Sequence, residues 1–142
     1  MERLYYISNW LFRHKVPILP RILMLLIRAV YQSYIPYKAQ IGSDISFGHA
    51  IGIVIAPRAV IGERCRIRHH VTIADGRGGA ARIGDDVQIG AGAFIRYNLT
   101  IGNRVRIGAN AVVVEDVPDD ATVVGNPARV VLLKGQRVDS ET

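Results

Sequence analysis

The sequence predicts an all-β solenoid of short stacked strands behind a helical hairpin, and three observations carry that expectation. Apolar residues, nearly all aliphatic, keep a six-residue beat, at Ile41, Phe47, Ile53, Ile61, Ile67, Ile73, Ile83, Ile89, Ile95, Ile101, Ile107 and Val113. The beat breaks twice, with an eight-residue step from Ile53 to Ile61 and a ten-residue step from Ile73 to Ile83. Glycine often follows the anchor, as at Gly42, Gly48, Gly62, Gly84, Gly90, Gly102 and Gly108. Four residues after ten of these anchors stands a second apolar or small side chain: Ile45, Ile51, Cys65, Val71, Val87, Ala93, Leu99, Val105, Ala111 and Val117. Such a period matches neither a helix at about 3.6 nor an alternating strand at about 2. It fits a ribbon in which each short strand turns a corner and stacks on the coil below. Anchors and fourth-following residues then point inward as ladders, with coils about 4.8 Å apart. Glycine serves the corners, where positive φ or close backbone approach is needed.

Residues 1–40 are different material. They hold six basic residues (Arg3, Arg13, Lys15, Arg21, Arg28, Lys38) against one acid, Glu2, so +5 of the formal +6 lies here. Seven of the ten aromatics also lie here: Tyr5, Tyr6, Trp10, Phe12, Tyr31, Tyr34 and Tyr37. Leu4, Ile7, Leu11 and Phe12 recur at helical spacing and predict a first helix over 3–14. Pro17 and Pro20 end it and open a second helix over 20–34, Pro20 suiting a first turn. The second helix is expected to bury Ile22, Leu25, Leu26, Ala29 and Val30 and to present Arg21, Arg28 and Gln32 as its polar stripe. It is too short and too charged to span a membrane. Two compatible roles follow. One is a cap over the open end of the solenoid. The other is a peripheral membrane foot, because basic residues with Trp and Tyr suit an anionic leaflet. Nucleic-acid binding is not expected: the basic residues sit partly on apolar helices, no motif is present, and the repeat is close to neutral.

The chain therefore divides into a helical segment (1–40), the solenoid (41–118) and a C-terminal extension (119–142). Its lone cysteine, Cys65, excludes an internal disulfide, and the repeat points it inward as a small buried hydrophobe. The start shows no secretory pattern. A cytoplasmic setting is expected, at the inner face of the membrane if the foot operates.

The informative words are GHAIGIVIAPRAVIG (48–62), VTIADGRGG (71–79), IGAGA (89–93), IGANAVVVEDVP (107–118) and VVGNPARVV (123–131). Together they resemble the hexapeptide-repeat acyltransferases, in the serine acetyltransferase-like branch. More closely, they resemble its short versions associated with bacterial exopolysaccharide biosynthesis. The resemblance covers residues 35–131. It implies a left-handed parallel β-helix of about four coils with a C-terminal tail. It also implies acetyl-CoA as donor substrate, no metal, and a homotrimer with the donor laid between subunits.

By the same resemblance His49 is the general base on an acceptor hydroxyl, which must lose its proton as it attacks the thioester; a near-neutral imidazole is an efficient acceptor. His49 is the third residue of its hexapeptide, at a corner, so its side chain should project outward. His69 holds the same position one coil on and should lie directly beneath, as an acceptor contact, with His70 beside it facing the same groove. Ala91 and Ala109 continue the column. The resemblance lays acetyl-CoA along it, with Gly92 and Asn110 permitting close approach and Arg129 and Lys134 meeting the CoA phosphates. Backbone amides near Ala74 or Ala91 would stabilise the oxyanion, and the loop at 75–80 would wall the acceptor site.

Several features of the serine enzymes are missing. The aspartate before the histidine is Gly48, and the aspartate fifteen residues upstream is Tyr34, taken here as an acceptor contact. The Arg-His pair of the extended loop is replaced by a short run ending in Ala80 and Ala81. A zwitterion in a desolvated site needs partners for its charges. The expected acceptor is therefore a hydroxyl on a sugar, polysaccharide precursor or lipid-linked oligosaccharide, with serine O-acetylation as the alternative. A zinc carbonic anhydrase of the same fold is disfavoured because His49, His69 and His70 lack the spacing of a three-histidine site. A scaffold without catalysis is disfavoured by the intact His49 word.

Overall fold

The computed structural model describes residues 1–138; residues 139–142 of the C-terminal extension lie outside the described residues. Two helices, α1 (Glu2–Arg13) and α2 (Leu19–Tyr31), precede the strands. The first coil is β1 (Gln40–Ile41), β2 (Ser46–Gly48) and β3 (Val54–Ile55). The second is β4 (Val60–Ile61), β5 (Arg66–Arg68) and β6 (Thr72–Ile73), and the third is β7 (Arg82–Ile83), β8 (Gln88–Ile89) and β9 (Phe94–Ile95). The fourth is β10 (Thr100–Ile101), β11 (Arg106–Ile107) and β12 (Val112–Val113). Equivalent strands pair in parallel and form three faces, β1-β4-β7-β10, β2-β5-β8-β11 and β3-β6-β9-β12. The fold is a parallel β-solenoid of four coils.

The C-terminal segment is not a loose tail over its described length. β13 (Ala121–Val124) adds to β11 in parallel, and β14 (Arg129–Leu133) and β15 (Gln136–Arg137) fold back antiparallel on the same face. This hairpin covers part of an edge that would otherwise offer unpaired strand groups.

Register explains the sequence beat. Ile41, Ile61, Ile83 and Ile101 stack on the first face, and Phe47, Ile67, Ile89 and Ile107 on the second. On the third face the ladder is Ile55, Ile73, Ile95 and Val113. Ile55, not Ile53, is therefore the anchor of its strand. The eight-residue step lies between Phe47 and Ile55, at the corner that carries His49. Ile53 is fully buried as the companion of Val71, whereas Ile51, expected inside, is half exposed in the extra residues of that corner. The remaining ladders are buried and form one continuous core.

The isoleucine-glycine pairs mark close approach and not positive φ. A Cβ on Gly62 would stand 2.6 Å from the Gly84 carbonyl carbon and 2.2 Å from Asp85 Oδ1, and one on Gly42 would stand 2.7 Å from Gly62. Positive φ falls two residues later, on Asp44, Arg64, Asp86, Arg104 and Asp120. Side chains tie these corners together. The Glu63 N–H donates to Asp85, the Asp85 N–H to Asn103 and the Asn103 N–H to Asp119, at 2.7–2.8 Å. Arg64 and Arg104 grip Asp86 and Asp120 with two hydrogen bonds each. Both carboxyls are held below their usual range by those guanidinium hydrogen bonds.

The hairpin caps the first coil. The Tyr5 hydroxyl donates to the Ala39 carbonyl and the Tyr6 hydroxyl to Gly42, each at 2.5 Å, and Glu2 accepts the Phe47 N–H at 2.9 Å. Burial pushes the Tyr5 phenol up to about 12. The expected inward face of the second helix is reversed. Pro20 and Ile27 are buried, while Ile22, Leu25, Leu26, Ala29 and Val30 face away from the solenoid, Val30 being 62% exposed. Ile27 and Pro20 share one side of the helix because seven residues make two turns. Ile22, Leu25, Leu26 and Ala29 follow the same spacing on the opposite side. The helix is apolar on two sides, and the fold uses one. The basic residues lie between the two sides. Helix ends differ from expectation by one to three residues, the second helix closing at Gln32 in left-handed conformation.

Replacing Gly62 by alanine should lower stability by about 1–3 kcal/mol through backbone overpacking. Urea unfolding followed by circular dichroism reads this; an unchanged midpoint would contradict the stacked corners.

Candidate active site

The corner between the second and third faces gathers the chemistry. Phe47 pairs with Ile67 and Gly48 with Arg68, so His49 and His69 are the next residues out of strands in register. Their rings meet edge to face with centroids 6.0 Å apart, and His69 meets His70 likewise at 5.6 Å. Ile67 pairs with Ile89 and Ile89 with Ile107, which carries the column down to Ala91 and Ala109. The expected stack His49, His69, Ala91, Ala109 is thus present.

His49 is not a simple copy of His69. At the lower coils the positive-φ corner residues are His70, Gly92 and Asn110, one position beyond the column. In the first coil the extra residues shift this geometry: His49 itself has φ 50° and Gly52 has φ 67°. His49 therefore stands exposed in an expanded corner. That corner is braced from the helical side. Ser33, buried, accepts the Ile53 N–H at 3.1 Å and donates to the Tyr31 carbonyl at 3.0 Å. Sequence reasoning missed Ser33 because its partners are set by tertiary approach, not by spacing.

The column's polar groups are open. His69 Nδ1 is buried and without a hydrogen-bond partner among the described residues. The Ala91 and Ala109 N–H groups likewise donate to no acceptor among the described residues, while the Gly92 and Asn110 N–H groups are used between coils. Ala91 is half-buried and Ala109 exposed, so neither side chain obstructs an extended ligand. A Cβ at Gly92 would stand 2.2 Å from Asn110 Oδ1, so glycine there leaves the Asn110 side chain its present place.

Tyr34 makes a parallel bridge with Val54 and donates its N–H to the Ile53 carbonyl at 2.7 Å, an extra rung above the third face beside the widened corner. Three expected site residues lie apart from that corner within one chain. Ala74 lies beyond β6, at the next corner, and its N–H is committed to the Ile95 carbonyl at 2.9 Å, which removes it as an oxyanion donor. The loop at 75–80 starts from that same corner, pinned by Arg58 to Asp75 at 2.6 Å. Arg129 opens β14 opposite Val124, below the column, and Lys134 follows the strand's far end. Five residues of strand separate them by about 17 Å. They cannot share one phosphate cluster on a single chain. Lys134 instead sits beside Asp120, whose carbonyl accepts its N–H at 3.0 Å.

Sequence reasoning also passed over Arg68, which lies over Gly48: a Cβ at Gly48 would stand 3.1 Å from Arg68 Cδ and 3.4 Å from Nη1. An open hollow of about 590 Å³ runs along this face, lined by Gly48, Arg66, Arg68, Asp44, Arg64 and Asp86 among others. No three histidine, cysteine or carboxylate side chains among the described residues are grouped as a metal site.

A four-coil parallel solenoid with an isoleucine-glycine beat defines a hexapeptide-repeat transferase fold, and residues 80–115 match the bacterial transferase hexapeptide (six repeats) family. The nearer similarity is to serine acetyltransferases. That of Synechococcus elongatus is 39% identical over 137 residues, covering 94% of this chain and 56% of the relative. That of Escherichia coli strain K12 is 37% identical over 131 residues, covering 89% and 48%. A solved serine acetyltransferase in complex with CoA superposes with TM-score 0.84 at 37% identity, over 90% of this chain and 54% of that one. A Neisseria gonorrhoeae serine acetyltransferase in complex with serine gives TM-score 0.85 at 36% identity, over 91% and 54%. In fold and sequence the chain is similar to hexapeptide-repeat transferases of the serine acetyltransferase type. It spans about half the length of these relatives.

These comparisons overturn the sugar or lipid-linked acceptor expected from the sequence. Relatives matching nearly the whole chain are serine enzymes, and the exopolysaccharide resemblance finds no support among them. The expectation rested on the missing partners for an amino acid's charges at three positions.

Proposed function

We propose that the chain is an acetyl-CoA-dependent O-acetyltransferase acting on the hydroxyl of serine. The observation that carries the reading is His49 at the head of an in-register column of His69, Ala91 and Ala109, in a chain similar to serine acetyltransferases solved with CoA and with serine. His49 takes the proton from the serine hydroxyl as that oxygen attacks the thioester carbonyl. The unengaged Ala91 N–H is the available donor to the oxyanion. The intermediate collapses with cleavage of the carbon–sulfur bond, and the proton returns from His49 to the departing thiolate. The products are O-acetylserine and CoA.

The active assembly is a trimer in this reading. Groups expected at the donor site divide between the histidine corner and the corner of Ala74, which one chain keeps apart. A neighbouring chain bringing its Ala74 corner against this column would close a groove between subunits. The two unengaged backbone N–H groups of Ala91 and Ala109 then face that groove.

Assay of CoA release with acetyl-CoA and serine tests the reading. The wild type should give serine-dependent release, and His49→Ala should lose about 10²–10⁴-fold in kcat while keeping acetyl-CoA affinity. Absence of serine-dependent release by the wild type would remove the serine assignment, and near-normal turnover by His49→Ala would remove the base.

The same chain is proposed to touch anionic membrane surfaces through α2. The specific observation is the unused apolar side of that helix, with Ile22 53% and Leu25 56% exposed. Glu2 is the only acid before Asp44, so a second copy docking there would bring like charges together, whereas an anionic leaflet complements them. No helix among the described residues is long and apolar enough to cross a membrane. Flotation with phosphatidylglycerol-containing vesicles should recover the protein at low salt, less at high salt, and less again for Ile22→Ser with Leu25→Ser. Failure to float at low salt would end this proposal.

A further inference from the structure

We infer that Arg68 is the group that holds the carboxylate of the acceptor beside His49, an inference that rests on the serine reading above.

Arg68 closes strand β5 and pairs in register with Gly48, the residue before His49. Its side chain does not run away into solvent. It lies back over the Gly48 backbone, with Cδ, Nη1 and Nε at 3.1, 3.4 and 3.6 Å from where a Cβ at Gly48 would be. A Cβ at Gly48 would press on Arg68 Cδ and meet the guanidinium nitrogens at ordinary contact, so glycine leaves the arginine side chain free to lie there. Gly48 has no positive φ that would demand glycine for backbone reasons.

The charge of Arg68 is available. Arg58, Arg64, Arg104 and Arg129 each have a carboxylate within ion-pair reach, at 2.6, 2.9, 2.7 and 3.9 Å. Among the described residues no carboxylate is within that reach of Arg68, and its guanidinium makes no recorded hydrogen bond. Arg66 is also unpaired, but it lies under Ser46, two residues further from the histidine corner. Arg68 alone adjoins His49, at the end of the hollow along this face.

The spacing suits a hydroxy acid. Gly48 is bonded to His49, with Cα atoms about 3.8 Å apart, so a guanidinium lying over Gly48 stands beside the corner from which the imidazole projects. In serine three bonds separate the hydroxyl oxygen from the carboxyl carbon. A serine with its hydroxyl at His49 can therefore place its carboxylate at a guanidinium lying over Gly48. A planar guanidinium takes a carboxylate with two parallel hydrogen bonds, which an ammonium cannot reproduce. The site then selects acceptors by their carboxylate, and a neutral hydroxyl compound lacks the contact.

The test is steady-state kinetics at saturating acetyl-CoA, on wild type, Arg68→Ala and Arg68→Lys, with serine, serinamide and ethanolamine as acceptors. Loss of a charge-assisted pair should raise the KM for serine about 10- to 100-fold in Arg68→Ala, with kcat little changed and the KM for acetyl-CoA unmoved. Arg68→Lys should recover part of that loss. The wild type should prefer serine to serinamide, and Arg68→Ala should lose the preference. A purely structural role for Arg68 predicts equal losses with all three acceptors, and that result overturns the inference. Wild-type serine activity with an unchanged serine KM in Arg68→Ala overturns it alone. Absence of serine acetylation by the wild type overturns the serine reading and takes this inference with it.

Discussion

Everything in this molecule depends on the parallel register between coils. Short strands of two or three residues have little stability as individual elements, and they persist because each is paired above and below and plugged by an inward aliphatic. Ile67, fully buried between Phe47 and Ile89, is representative. The same constraint makes the site. If Phe47, Ile67, Ile89 and Ile107 must stack, whatever follows each by two positions must stack as well. His49, His69, Ala91 and Ala109 are brought together by the core, not by contacts among themselves. Each level then differs only in its choice of side chain: histidines at the top, small residues below, unengaged N–H groups between.

The first coil departs from that regularity where chemistry is expected. The two added residues between Phe47 and Ile55 widen the corner, lift Ile51 out of the core and give His49 a left-handed backbone. Ser33 and the end of α2 hold the widened corner in place. The helical cap therefore serves two ends. It satisfies groups of the first coil through Tyr5, Tyr6 and Glu2, and it braces the loop that carries the candidate base.

The coil architecture was legible in the sequence because its determinant is a one-dimensional period repeated many times. The His-to-Ala column was legible for the same reason, being a fixed offset from that period. Legibility failed where two solutions share one pattern. Ile53 and Ile55 are both apolar and both buried, so the beat can be phased on either, and only the pairing of Ile55 with Ile73 decides between them. α2 is apolar on two sides, and amphipathic spacing alone does not say which side the solenoid covers. Ala74, Arg129 and Lys134 were grouped by family logic that spans subunits, whereas one chain separates them. Arg68 was invisible for a different reason. It looks like any outward strand residue until Gly48, one coil above, is seen to leave room for it.

The central claim is that the outward column is the acetyl-CoA groove. Ala109 tests it most directly, because its side chain is exposed and a larger one there leaves the core untouched. Calorimetric titration of acetyl-CoA into Ala109→Phe, beside a circular dichroism check of the solenoid, is the decisive measurement. The account predicts that donor binding is lost while the fold and assembly persist. Wild-type affinity in the folded variant would contradict it, and the donor would have to bind elsewhere on the solenoid.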